Sequence, residues 1–153
     1  GHSGPQRREI DPLRGNIMAR KNLTDLLRVQ AKLRARDGCP WDRKQTHKSL
    51  LKHLREESAE VAQAIRKGDM ENLKEELGDV LHQIVFHAQI AREKGLFTMA
   101  DVIDGLCRKI IRRHPHVFGK SKVKSVKDVL IQWDEIKRRE KLTKARKLAR
   151  ANP

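Results

Sequence analysis

The spacing of apolar residues predicts helices along almost the whole chain. Apolar side chains recur at intervals of three and four residues from Leu23 to Ile136, and no segment alternates in the way a strand does. Residues that break helices divide this region at Gly38, Gly68 and Pro115. We therefore expect an all-α fold, a bundle of four to five helices in each chain.

Five helices are predicted, and they are expected at about residues 23–35, 46–67, 70–94, 98–114 and 126 onwards. Thr46 or Ser49 can cap the second helix, and the sequence DGCPWD before it should form a loop. The third helix is apolar on several sides of its second half, so it should be the most buried. Its main apolar stripe is predicted to be Leu73, Leu77, Leu81, Ile84 and Ala88. The fourth helix should turn Val102, Ile103, Leu106 and Ile110 inward, and the fifth should turn Val129, Trp133 and Ile136 inward.

The net charge of +15 comes mostly from the two ends of the chain. Residues 137–150 hold eight lysines or arginines against one acidic residue, and residues 1–22 hold five against two. We expect three segments: a flexible or vector-derived arm at 1–22, with Met18 as a natural start, a helical domain at 23–136, and a basic helical tail at 137–153. The tail makes nucleic acid binding possible, although a run of charges is more often a solvated surface.

Several classes of protein are not indicated by the composition. No apolar run is long enough for a membrane span, and the first residues lack the pattern of a signal peptide. Cys39 and Cys107 lie far apart, without a Cys-x-x-Cys spacing, so neither a disulfide framework nor a zinc cluster is expected. These features predict a cytoplasmic protein with reduced thiols and no membrane partner.

Acidic residues on the second and third helices form the most informative pattern. Glu57 falls on the same helical stripe as Leu54 and Val61, where an isolated ionised carboxylate is costly to bury. Glu60 lies three residues later on the same helix, and two acidic residues with the same separation occur on the next helix. A short link makes these helices antiparallel neighbours, so four carboxylates should converge: Glu57, Glu60, Glu76 and Asp79.

Converging carboxylates have two explanations. They can be surface acids that form ion pairs along each helix, for which Lys52, Arg55, Arg66 and Lys74 are available. Alternatively, they can hold a hard divalent cation, which accepts several oxygen ligands and removes the repulsion between them. The position of Glu57 on an apolar stripe and the recurrence of the pair favour the cation, with Mg²⁺ or Mn²⁺ as the expected ion.

The order of motifs resembles the MazG family of nucleoside triphosphate pyrophosphohydrolases, within the all-α NTP pyrophosphatase superfamily. The matching segments are CPWDRKQTHKSL, LREESAEVAQAI, LKEELGDVLHQIVFHAQIA, DVIDGLCRKIIRRHPHVFG and VLIQWDEIKRREK, and they cover roughly residues 23–141. The resemblance implies that residues 23–136 form a MazG-like catalytic domain. It implies a hydrolase that cleaves between the α- and β-phosphates of NTPs or dNTPs, giving a nucleoside monophosphate and pyrophosphate.

The resemblance also implies roles for individual residues. The carboxylates of Glu57, Glu60, Glu76 and Asp79 would hold Mg²⁺, and either Glu56 or Glu57 would act on the attacking water. Lys109, Arg112 and Arg113 stand at i, i+3 and i+4 near the end of the fourth helix. By position alone they would complement the helix dipole, but the resemblance implies phosphate binding. Lys137 is a further candidate phosphate contact, and Trp41 and Trp133 are candidate base contacts, although packing is an equal or better explanation for both tryptophans.

Alternative functions and the assembly state are left open by the sequence. A related phosphoribosyl-ATP or nucleotide-specific pyrophosphohydrolase would share the metal site and differ in base recognition. A non-enzymatic basic helical protein that binds nucleic acid or a partner through residues 137–150 is the other alternative. The resemblance further implies a homodimer or homotetramer, in which oligomerisation completes the bundle.

Overall fold

The computed structural model describes residues 20–151 of the chain, and this part is built from helices. The seven helices are α1 (Leu23–Arg34), α2 (Pro40–Lys44), α3 (Leu51–Lys67), α4 (Met70–Glu93), α5 (Met99–Arg113), α6 (Pro115–Phe118) and α7 (Val126–Ala151). No strand occurs among the described residues, so the predicted all-α class is confirmed. Residues 1–19 of the expected arm lie outside the part of the chain that the structure describes.

The two short helices α2 and α6 were not predicted. The DGCPWD segment was expected to be a loop, but its last residues begin α2, where Pro40 takes the first helical position and its missing N–H costs nothing. Arg34 fixes α2 by donating hydrogen bonds to the carbonyl oxygens of Asp42 (2.6 Å) and Gln45 (3.1 Å). Similarly, Pro115 begins the single turn of α6 directly after α5 ends.

The start of α3 lies later than predicted. Neither Thr46 nor Ser49 caps the helix; they bond each other instead, since each side-chain oxygen accepts a hydrogen bond from the backbone N–H of the other residue, at 2.8 and 3.1 Å. These bonds close a turn at residues 47–50, and the regular helix begins only at Leu51. The capping signal therefore marks the turn that leads into the helix.

The chain divides into two compact units, the first ending at Met99 and the second beginning at Ala100. The core of the first unit is formed by Leu50, Phe86 and Ile90, each at most 2% exposed. Helix α4 contributes most of the buried side chains, as predicted. The Arg34 guanidinium lies 5.7 Å from the centre of the Phe86 ring and also pairs with Glu93 at 2.8 Å.

The main apolar stripe predicted for α4 is mostly not the side that packs within the first unit. Leu77 (52%), Leu81 (38%) and Ile84 (40%) are exposed in the single chain. Of that stripe only Ala88 is buried, while Leu73 is half-buried. Because α4 is apolar on more than one side, periodicity alone cannot decide which side meets the rest of the unit.

A tight turn brings α3 and α4 together. Gly68 ends α3 with a φ of 65°, a left-handed conformation that residues with a Cβ adopt only with strain. The N–H of Asp69 then bonds the carbonyl oxygen of Ala64 at 3.2 Å. The Asp69 side chain caps α4 by accepting a hydrogen bond from the N–H of Asn72 at 3.1 Å. This two-residue connection makes the helices antiparallel neighbours.

The second unit contains no buried side chain among the described residues of its helices. The predicted inward stripe of α5 is exposed in the single chain, at 36–49% for Val102, Ile103, Leu106 and Ile110. On α7, Val129, Trp133 and Ile136 are half-buried, as their spacing suggested. No helix of residues 20–151 has the combination of length and apolar character that a bilayer span requires.

Candidate metal centre and phosphate-binding residues

Four carboxylates meet where α3 faces α4. Glu57 and Glu60 lie one helical turn apart on α3, and Glu76 and Asp79 have the same separation on α4. One oxygen of each side chain lies within 4.8 Å of an oxygen of every other. The convergence predicted from the sequence is therefore present in the first unit.

These carboxylates lack the partners that a structural role would supply. The Oε2 atoms of Glu57 and Glu76 are both buried without a hydrogen-bond partner. Within residues 20–151, no lysine or arginine forms an ion pair with any of the four carboxylates. Buried oxygens without donors and four converging anionic ligands fit a hard divalent cation.

The proximity of these groups changes their protonation. Removal from water raises the pKa of Glu57, and the charges of Glu60 and Asp79 raise it further. The pKa of Glu76 is raised to about 7. The largest cause is hydrogen bonding to Glu60, and removal from water and the charges of Glu60, Asp79 and Glu57 raise it further. Without a cation, the cluster therefore lowers its repulsion by holding a proton near neutral pH.

Glu56, the other candidate for the attacking water, lies outside the group of four. Its side chain is exposed and forms an ion pair with Lys52 at 3.7 Å, one turn earlier on α3. That contact is the surface pairing considered as an alternative for all the acidic residues. Among the predicted acidic residues, Glu56 is the one for which this alternative is observed.

Trp41 lies in the same unit as the carboxylates. Its side chain is 52% exposed, and its ring makes edge-on contacts with His53 at 5.8 Å and with Phe86 at 6.4 Å. His53 is one helical turn before Glu57 on α3, so Trp41 presents an open aromatic surface on the flank of the carboxylate helix. The role of His53 as the support for Trp41 was not predicted, because the two residues come together only through α2.

The basic residues predicted on α5 are brought together by an acidic residue of α7. Glu140 accepts a hydrogen bond from the Nε of Arg112 at 2.7 Å and from a terminal nitrogen of Arg113 at 3.0 Å. Hydrogen bonds from Arg113 and Arg112 hold the pKa of Glu140 below its usual range. The signal in the sequence was that Glu140 is the one acidic residue among residues 137–150.

These side chains line a cleft of about 820 Å³ between α5 and α7. Lys109, Arg112 and Arg113 contribute from α5, and further basic residues contribute from α7. The basic residues from α7 are Arg139, Lys144 and Lys147, and none of them was predicted as a site residue.

Lys137 and Trp133 form a separate contact on α7. The Lys137 ammonium lies 5.0 Å from the centre of the Trp133 ring, within the range of a cation–π interaction, and 3.6 Å from the carboxylate of Asp134. The Trp133 Nε1 is buried without a hydrogen-bond partner, and its ring lies 6.4 Å from that of His114. Trp133 is thus more enclosed than Trp41, in keeping with the packing role considered for it.

Comparisons with known proteins agree with the order of the motifs. The model of the MazG nucleotide pyrophosphohydrolase domain matches residues 45–118. Over 130 residues, the chain is 52% identical to the nucleoside triphosphate pyrophosphohydrolase/pyrophosphatase MazG of Thermotoga maritima, covering 84% of this chain and 49% of that protein. It is 42% identical over 121 residues to the nucleoside triphosphate pyrophosphohydrolase of Escherichia coli K12, covering 78% of this chain and 46% of that protein.

A solved structure is also similar. The crystal structure of a mazG-related protein from Thermotoga maritima has a TM-score of 0.64 and 32% sequence identity, with coverage of 76% of this chain and 99% of that one. The chain spans about half the length of the two curated relatives described above. The level of identity, the matched domain model and the shared fold lead to one conclusion: this chain belongs to the MazG family.

Proposed function

We propose that the chain is a nucleoside triphosphate pyrophosphohydrolase that uses Mg²⁺, or Mn²⁺ in its place. It would cleave NTPs or dNTPs between the α- and β-phosphates and release a nucleoside monophosphate and pyrophosphate. The observation that carries the proposal is the group of four converging carboxylates, two of which have buried oxygens without partners. The names of the MazG relatives support the substrate class.

In this proposal, Glu57, Glu60, Glu76 and Asp79 hold the metal ion. A bound divalent cation neutralises phosphate oxygens and lowers the pKa of a water ligand. The protein's own task is then to place the phosphate chain and the water in line, which requires no nucleophilic side chain. Four anionic ligands on two helices joined by a rigid turn provide a fixed position from which to do this.

We propose that a carboxylate of α3, either Glu56 or Glu57, accepts the proton of the attacking water. In the metal-free chain, removal from water and the nearby carboxylates raise the pKa of Glu57, whereas Glu56 is exposed and lies outside the group of four proposed ligands. Gln variants separate the two assignments. Loss of turnover with metal affinity kept identifies the base, and loss of both identifies a ligand.

The substrate's phosphates would be bound by Lys109, Arg112, Arg113 and Lys137. The clustering of the first three in one cleft supports this role. The base would stack on Trp41, whose ring is half exposed beside the carboxylate helix, with Trp133 as the second candidate.

We further propose that the protein is a homodimer or homotetramer. Leu77, Leu81 and Ile84 form an exposed apolar stripe on α4 that a second copy would cover. Replacing Leu77 and Leu81 with glutamate should give monomers by light scattering, whereas Ile65→Glu, at an exposed position on α3, should leave the mass unchanged. A monomeric unmodified chain would contradict the assembly.

The decisive experiment measures pyrophosphate release from a panel of canonical and modified NTPs and dNTPs, with phosphoribosyl-ATP included. Asp79→Asn should lower the rate by at least about 100-fold, since it removes a ligand whose charge acts in the transition state. Glu71→Gln is the matched control, because Glu71 is an exposed acid on the same helix that pairs with Lys74 at 2.9 Å. No release by the unmodified, metal-loaded chain would refute the proposal.

A further inference from the structure

The cleft between α5 and α7 is lined by more basic side chains than the proposed function uses. Six of its lining side chains are basic and one is acidic, Glu140; the basic residues are Lys109, Arg112, Arg113, Arg139, Lys144 and Lys147. The proposed function uses only the three on α5. The three on α7 form no ion pair within the part of the chain that the structure describes.

The basic residues of α7 also extend further than a bound triphosphate reaches. Lys147 lies ten residues after Lys137, a separation of about 15 Å along a helix that rises about 1.5 Å per residue. In a triphosphate, only four P–O bonds separate the first phosphorus atom from the third. A triphosphate bound near Lys137 is therefore too short to contact every basic residue of α7 as well as the three on α5.

Glu140 offsets only part of this charge. Its two oxygens are taken by Arg112 and Arg113, which lie at the α5 side of the cleft. Lys144 lies one helical turn after Glu140 and Lys147 lies nearly two turns after it, on the same side of α7. Like charges placed one turn apart repel, so an anion that contacts both lysines stabilises the cleft.

We propose that the α7 side of this cleft is a second anion site for a chain of adjacent phosphate groups. Arg139, Lys144 and Lys147, which line this side of the cleft, bind the phosphate chain. Three cations spread over about two turns of α7 on one cleft match a polyanion, either inorganic or carried by a second nucleotide. The site goes beyond the proposed hydrolysis and does not require the metal ion.

The test is a calorimetric titration of the full chain with inorganic tripolyphosphate at physiological ionic strength. A metal chelator is present, so that no hydrolysis occurs. Lys144→Gln combined with Lys147→Gln should weaken binding by about tenfold or more, since each loses a charge-assisted contact. Arg138→Gln combined with Arg146→Gln is the matched control: it removes the same charge from α7 outside the cleft and should change affinity by less than about twofold.

Equal weakening by the two pairs of substitutions would overturn the site, because it would show only a general effect of charge. Failure of the unmodified chain to bind tripolyphosphate would overturn it as well. Binding of ATP with the affinity of tripolyphosphate, together with no binding of adenosine, supports recognition of the chain of phosphates from either source. A single-stranded oligonucleotide that binds more tightly than tripolyphosphate, and is weakened equally by both pairs, would replace the site with a nucleic acid surface.

Glu140→Gln adds a measurement in the opposite direction. Removing the one carboxylate of the cleft should strengthen tripolyphosphate binding severalfold, because the cleft then loses its one negative charge. Unchanged or weaker binding would contradict this account of the cleft. Asp79→Asn should leave tripolyphosphate binding unaltered, so a failure of the proposed hydrolysis and a failure of this second site can be distinguished.

Discussion

The two units of the chain balance their charges in opposite ways. In the first unit, four carboxylates face one another with no paired lysine or arginine among the described residues. In the second, the guanidinium groups of Arg112 and Arg113 share the carboxylate of Glu140. The consequence appears in the pKa values, which are raised for Glu57 and Glu76 and lowered for Glu140.

This difference separates two uses of a charged cluster. Glu140 receives its counter-charges from within the chain, so its ion pairs hold α5 against α7 without any ligand. The four converging carboxylates of α3 and α4 have no paired counter-charge among the described residues, so a proton or a cation is needed to neutralise them. A cluster whose charge is balanced by a bound ion is the better candidate for a binding site.

The largest expected contrast between the units concerns their cores. Phe86 is 1% exposed, so Phe86→Ala should lower the free energy of unfolding by about 3–5 kcal/mol. Leu130 on α7 is 51% exposed, and Leu130→Ala should cost less than about 1 kcal/mol. Urea unfolding followed by circular dichroism measures both values. Similar losses for the two variants would show that the second unit is as tightly packed as the first.

A divalent cation should stabilise the first unit alone. At about a hundred times its dissociation constant, bound Mg²⁺ or Mn²⁺ should add about 2.7 kcal/mol to the stability of the state that binds it. Hydrogen exchange should therefore slow for amides of α3 and α4, and not for those of α7. Asp79→Asn should remove this protection and Glu71→Gln should retain it. Equal protection of α7 would contradict the assignment of the metal to the first unit.

The sequence predicted the long helices better than it predicted their faces. The five long helices follow from apolar periodicity and from the breakers at Gly38, Gly68 and Pro115, all of which act locally. The orientation of α4 does not follow, because several of its sides are apolar and the packing partner decides which side is buried. Exposed Leu77 and buried Phe86 illustrate this. Helix α2 was missed because Pro40 was interpreted only as a breaker.

The site was predictable to the extent that it depends on spacing within two adjacent helices and on the turn that joins them. Glu57, Glu60, Glu76 and Asp79 converge because residue spacing and the Gly68 turn fix their positions. Contacts across helices distant in sequence could not be derived from spacing. The pairing of Glu140 with Arg113 joins residues 27 positions apart, and that of Trp41 with His53 depends on an unpredicted helix.

The smallest contrast is in the response to pH, and it should have opposite signs in the two units. Because the pKa of Glu76 rises on folding from 4.5 to about 7, the folded state binds the extra proton between these values. In metal-free protein its contribution to stability is therefore fully present below about pH 4.5 and is lost as the pH rises towards 7. Glu57, whose pKa is also raised, acts in the same direction.

Glu140 should respond in the other direction. Its pKa is lowered on folding, so the stability that it contributes is present above its ordinary value of 4.5 and is lost as the pH falls through the lowered value. Partly exposed ion pairs contribute about 1 kcal/mol or less, so this loss should be small. Urea unfolding of chelator-treated protein across this pH range measures both effects.

Variants assign each part of the pH response to its residue. Glu76→Gln should flatten the decline in stability between pH 4.5 and 7, because glutamine cannot hold the shared proton. Glu140→Gln should remove the loss at acidic pH and leave the neutral range unchanged, and Glu71→Gln should alter neither. A metal-free protein whose stability rises from pH 4.5 to 7 would mean that the carboxylates of α3 and α4 are neutralised from within the chain. The contrast between the units, and with it the need for an external cation, would then be lost.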